Sequence, residues 1–121
     1  MRLVVLMVEV EQPEGVSARK LILEAARHNV ISAYTGQDAV DLLRRFPNVD
    51  LAVIHTELND APFEHTVSQF RTVRADLPIV AITPFSGRQA KDVDYVISSY
   101  EPQMLLQLLA ERFEAATSET D

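Results

Sequence analysis

Apolar and amphipathic stretches alternate along the chain. Leu3 to Val8 is a continuous apolar run with β-branched residues, the pattern of a strand buried on both faces. Ser17 to His28 follows at helical spacing, with Ala18, Leu21, Ile22, Ala25 and Ala26 on one face. Val30 to Ala33 predicts a short second strand. Thr35 suits the N-cap of the next helix, with Asp38 three residues on in an approximate capping box. That helix sets Ala39, Leu42, Leu43 and Phe46 on one face, and Pro47 ends it.

The second half repeats the pattern. Leu51 to Ile54 is a buried strand, and Phe63, Val67, Phe70 and Val73 recur at helical spacing. Pro78 introduces a fourth strand, Ile79 to Ile82. Pro84 to Asp92 holds Ser86 and Gly87 and is too short to predict a helix. Val93 to Ile97 reads as the fifth strand, Glu101 to Ala116 as a final helix, and residues 117–121 as a polar tail or the start of a linker. Strands alternating with helices imply a parallel sheet covered on both faces. The expected fold is α/β, flavodoxin-like and doubly wound, with five strands in the order 2-1-3-4-5. Such folds gather their sites outside the carboxyl ends of the strands. Here those ends are Glu9 to Glu11, His55, Thr83 and Ser98.

Composition narrows the function. The 121 residues suit one domain, 1–116, and no apolar run approaches the roughly 20 residues needed to span a bilayer. A soluble cytoplasmic protein is expected. The formal charge of −7 argues against direct binding to nucleic acid or anionic membranes. The absence of cysteine removes disulfides, thiolate nucleophiles and cysteine-based metal sites. The only glycines are Gly15, Gly36 and Gly87, so no phosphate-cradling loop is present, and neither a Ser–His–Asp order nor H-E-x-x-H occurs. No enzyme activity and no cofactor are expected.

Three stretches resemble the receiver domain of response regulators. TGQDAVDLLRRFPNVDLAVIH is similar to that family's second helix and third strand, DYVISSYEPQMLLQLL to its fifth strand and last helix, and MVEVE to the end of its first strand. The resemblance covers roughly residues 2–115. It implies a phosphoacceptor aspartate after strand three, two acidic residues after strand one that hold Mg²⁺, and a lysine after strand five. It also implies a Ser or Thr after strand four and an aromatic in strand five that follow the phosphoryl group. In this chain those positions are His55, then Glu9 with Val10, then Ser98, with Thr83 and Tyr95 matching. Val10 offers Mg²⁺ no oxygen ligand, and Ser98 supplies no charge to a phosphoryl group. Only 14 residues separate Thr83 from Ser98, so the fourth helix of the family should be shortened or missing.

The resemblance then implies a pseudo-receiver, a protein-interaction module of signal transduction that works without aspartyl phosphorylation. His55 has three readings: phosphoacceptor, pH-sensitive or partner-contacting group, and hydrogen-bonded rim residue, the last being preferred. Metal binding would draw on His55, Glu9, Glu11, Glu57 and Asp60, a poor set for zinc, while His28 and His65 lie on helices elsewhere. No metal site is expected. The final helix sets Leu105, Leu108, Leu109 and Phe113 toward the core, and Met104 and Leu106 widen that stripe. With Tyr100 they mark a face (fourth helix, fifth strand, last helix) suited to a protein partner or a homodimer. The alternatives are a switch driven by another ligand or by His55 protonation, and a small-molecule-binding flavodoxin-like domain.

Overall fold

The computed structural model describes residues 2–11 and 17–114. The expected domain end at 116 and the polar tail at 117–121 lie outside them. The elements are β1 (Val4–Val8), α1 (Ala18–Ala25), β2 (Asn29–Ala33), α2 (Gly36–Arg45), β3 (Leu51–His55), α3 (Phe63–Val73), β4 (Ile79–Thr83), β5 (Tyr95–Ser98) and α4 (Pro102–Leu109). A π-helical turn, Ala110–Glu114, continues α4. The five strands form one parallel sheet in the order β2-β1-β3-β4-β5, as the alternation of patterns predicts.

Successive strand residues point to opposite faces, so each central strand feeds two cores. Leu6, Val8, Ala52, Ile54 and Ala81 pack against α2 and α3 through Val40, Leu43, Val67 and Phe70. Val5, Met7, Leu51, Val53, Val80 and Ile82 face the other way, toward Leu23 of α1 and Leu105 and Leu109 of α4. Burial on both faces explains why β1, β3 and β4 read as continuous apolar runs rather than as alternations.

The backbone entering the sheet is satisfied by side chains. His28 Nδ1 accepts from Leu3 N at 3.1 Å, Asp50 Oδ2 from Val4 N at 2.6 Å, and Asp94 Oδ2 from Ile79 N at 2.8 Å. Thr35 caps α2 by accepting from Asp38 N, and Asp60 accepts from Gly36 N at 2.9 Å and Gln37 N at 3.2 Å. Asp60 thus ties the loop after β3 to the first turn of α2.

Three expectations shift. On α1 the inward face is Arg19, Ile22, Leu23 and Ala26; Leu21 is 55% exposed, and Ala18 and Ala25 are exposed with it. The helix has apolar residues around much of its circumference, and the largest buried one, Leu23, decides the rotation. On α2, Val40 is buried and Phe46 is exposed, its ring under the Arg45 guanidinium at 5.5 Å. β5 begins at Tyr95, not Val93, because Asp94 turns its carboxylate back onto Ile79 N.

No helix forms between β4 and β5. Residues 84–94 run as turns, with positive φ at Gly87 (74°) and Asp92 (63°). The helix expected to be shortened or missing is missing; Ala90 and Val93 of the loop pack on the core instead, and Val96 of β5 is left 37% exposed.

Candidate functional site at the carboxyl ends of the strands

β1, β3, β4 and β5 end side by side, which brings Glu9, His55, Thr83 and Ser98 to one end of the sheet. Glu9 follows β1 and is buried, with its backbone N–H on Ala33 O at 3.1 Å. A buried carboxylate needs a charge partner, and Arg19 supplies it. Arg19 Nε donates to Glu9 Oε1 at 2.8 Å, and its Nη2 donates to the same oxygen. The remaining guanidinium nitrogen, Nη1, donates to the backbone carbonyl of Ser99 at 2.9 Å. One side chain from α1 therefore links the end of β1 to the loop after β5.

Arg19 was not legible as a site residue in the apolar pattern, but one signal was present. Arg19 and Lys20 stand in the first turn of α1, which has no acidic residue. Cations there oppose the helix dipole, so an anion outside the helix would offset the cost. Glu9 is that anion.

His55 ends β3 half-buried. Its Nδ1 accepts from Glu57 N at 3.0 Å, which leaves the proton of the neutral ring on Nε2. Burial holds the pKa of His55 below its ordinary value, the Arg19 charge lowers it further, and Glu9 and Glu57 oppose the shift. The ring is neutral at neutral pH.

The two hydroxyls at the other strand ends shape turns. Thr83 is buried and its Oγ1 accepts from Phe85 N at 3.1 Å; Ser98 Oγ accepts from Tyr100 N at 3.1 Å. Tyr95 is half-buried against the core shared with α1 and α4. Val10 lies beside Glu9 and is partly buried.

The fit of this end of the sheet to Mg²⁺ is poor. One carboxylate, already held by Arg19, stands beside an aliphatic residue, and oxygen ligands are what Mg²⁺ requires. Among the described residues, no three His, Asp or Glu side chains gather closely enough to hold a metal ion. Glu11, Glu57, Asp60 and His65 are exposed, Asp60 is engaged with α2, and His28 is buried at the opposite end of the strands.

Of the seven large apolar side chains exposed among the described residues, four lie between Phe85 and Met104. Tyr100 is 76% exposed, Phe85 54%, Met104 41% and Val96 37%. Phe85, Val96 and Tyr100 border one shallow depression with Arg88, Thr83 and Ser98. Leu106, expected on the same face as Tyr100, is half-buried against the core. No helix among the described residues is long and apolar enough to cross a membrane.

No family model and no curated protein matches the sequence. Solved structures do. A CheY-like response regulator receiver domain protein from Methanospirillum hungatei JF-1 superposes with a TM-score of 0.78 at 17% identity, covering 98% of this chain and 99% of that one. The N-terminal domain of a response regulator/sensory box/GGDEF 3-domain protein from Carboxydothermus hydrogenoformans gives 0.75 at 19%, covering 98% and 99%. A chain of the CheX–CheY–BeF3–Mg²⁺ complex from Borrelia burgdorferi gives 0.77 at 18%, covering 92% and 89%. With the strand order and the placement of the strand ends, these likenesses identify the chain as having the fold of CheY-like response regulator receiver domains.

Proposed function

We propose that this receiver-like domain is a signalling module that acts through protein–protein contact and independently of aspartyl phosphorylation. The observation that carries the reading is the Arg19–Glu9 pair. A guanidinium from the protein's own α1 takes up the carboxylate at the end of β1. His55 stands at the end of β3, where the resemblance implies an aspartate, and Ser98 at the end of β5, where it implies a lysine. Phosphoryl transfer to a side chain needs cationic stabilisation of the spread negative charge. Here the cation whose charge acts on His55, Arg19, is engaged by Glu9 and by the Ser99 carbonyl.

His55 protonation is the weaker basis for a switch. Burial and Arg19 both push proton uptake to lower pH, so the ring stays in one state across the neutral range. The interaction face proposed is the one around β5 and α4, with Tyr100 and Met104 at its centre, and its partner a second copy of the chain. One of the similar solved structures is itself a complex of two different proteins, CheX and CheY.

Incubation with acetyl phosphate and Mg²⁺ followed by intact-mass measurement tests the phosphorylation reading. The expected result is an unchanged mass. A stoichiometric gain of one phosphoryl group would overturn it.

A further inference from the structure

The bare edge of the sheet specifies how two copies would meet, an inference that rests on the self-association reading above. β5 is an outer strand of four residues, YVIS, with no lysine, proline or bulge to guard it. Ser99 N donates to Thr83 O at 2.8 Å, so the alternation of the parallel ladder turns the backbone groups of Tyr95 and Ile97 toward β4 and those of Val96 to the open side. The side chains of Tyr95 and Ile97 pack into the core shared with α1 and α4. Val96 therefore points to the other face, where no helix follows β4, and the exposed rings of Phe85 and Tyr100 stand beside it.

Two charges beside this strand are placed symmetrically. Lys91 lies five residues before Val96 and Glu101 five residues after it, and both are exposed. Asp94 is already held by Ile79 N and Arg71, and the same arginine grips the carbonyl of the neighbouring Asp92. An isologous contact requires a surface that complements itself about a two-fold axis. A cation and an anion equidistant from an apolar centre meet that requirement.

We infer that β5 pairs antiparallel with β5 of a second copy about a two-fold axis at Val96, joining two five-stranded sheets into one. Val96 of each copy then exchanges both backbone hydrogen bonds with Val96 of the other, and the two Val96 side chains lie opposite each other on the face that carries Phe85 and Tyr100. Lys91 of each copy comes to the Glu101 end of its mate. The formal charge of −7 on each copy opposes approach elsewhere on the surface, which leaves this uncharged strand with crossed charges at its ends as the favoured seam.

Sedimentation equilibrium of the full chain over a range of concentrations tests the inference. Wild type is expected to dimerise, and Val96→Lys to raise the dissociation constant about tenfold or more, with an unchanged circular dichroism spectrum. Lys91→Glu and Glu101→Lys are each expected to weaken the dimer by about threefold to tenfold, and the double reversal to restore it. A dimer that Val96→Lys and both charge reversals leave unaltered overturns strand pairing and leaves self-association standing. A monomer at every concentration overturns both.

Discussion

Arg19 on α1 and Glu9 at the end of β1 form an ion pair in which two guanidinium nitrogens meet one carboxylate oxygen, Nε at 2.8 Å. The side chains are only 11% and 5% exposed, so the pair is shielded from solvent. Shielding makes the two halves interdependent. Each charge was desolvated on folding, and each is tolerated only because the other is there.

Arg19→Ala is expected to cost about 3 kcal/mol of folding stability, because it strands a buried carboxylate and frees the Ser99 carbonyl. Glu9→Gln with Arg19→Met should recover much of that loss, since the double variant removes both charges and keeps similar volume. Urea denaturation of the single and double variants measures the coupling. A single variant as stable as wild type would show that the pair is solvated and energetically idle.

The lowered pKa of His55 has a definite sign in stability. Unfolded, the ring takes its proton at the ordinary 6.5; folded, it does so only at lower pH. As the pH falls below 6.5, the unfolded chain binds the proton first, so stability declines until the folded ring also titrates. The contribution is whole above 6.5 and lost below it. His55→Asn should flatten this part of the curve, read as urea midpoints from about pH 7.5 down to about pH 5. An identical slope in wild type and variant would remove His55 from the account.

His55→Asp alone is not expected to create a phosphoacceptor. The new carboxylate would face Glu9 and Glu57, with Arg19 already engaged by Glu9. Intact mass after acetyl phosphate and Mg²⁺ should remain unmodified, and a phosphorylated variant would show that Arg19 yields its place to the metal.

His28 holds Leu3 N at the start of the sheet from a buried position. His28→Ala leaves that N–H without its acceptor and opens a cavity, at an expected cost of about 2 to 3 kcal/mol. Thermal unfolding would register the loss, and a shift within error would contradict the role.

Asp60 satisfies two N–H groups in the first turn of α2 from a distant loop, and the Gly36 hydrogen bond holds its pKa below the ordinary value. Asp60→Ala is expected to cost about 1 kcal/mol, as loss of a helix cap does. The depressed pKa places this contribution above the unfolded value of 3.8, and it is lost as the pH falls through the folded one. Chemical denaturation at neutral and acid pH would show the difference between variant and wild type shrinking toward low pH.

The elements and their order were legible in the chain because burial on both faces writes uninterrupted apolar runs into β1, β3 and β4. Proline and the short span after Thr83 announced the absent helix. The rotation of α1 was not legible. Leu21 and Leu23 are equally apolar, and only docking on the sheet buries one and exposes the other. The half-burial of Leu106 was not legible either, since its helical spacing is compatible with either side of α4 until the sheet is present.

The amino-acid sequence by itself determined the alternating α/β order and the parallel sheet, and it set His55, Thr83 and Ser98 at the ends of strands. Those follow from periodicity and residue type, which are local properties. Only the tertiary structure decided that Arg19 reaches Glu9 and Ser99, contacts 10 and 80 residues apart in the chain, and that Val96 lies uncovered beside Phe85 and Tyr100. Pairings over such distances depend on how a helix rotates and which strand lies at the edge. Packing settles both at once, and no window of sequence contains them.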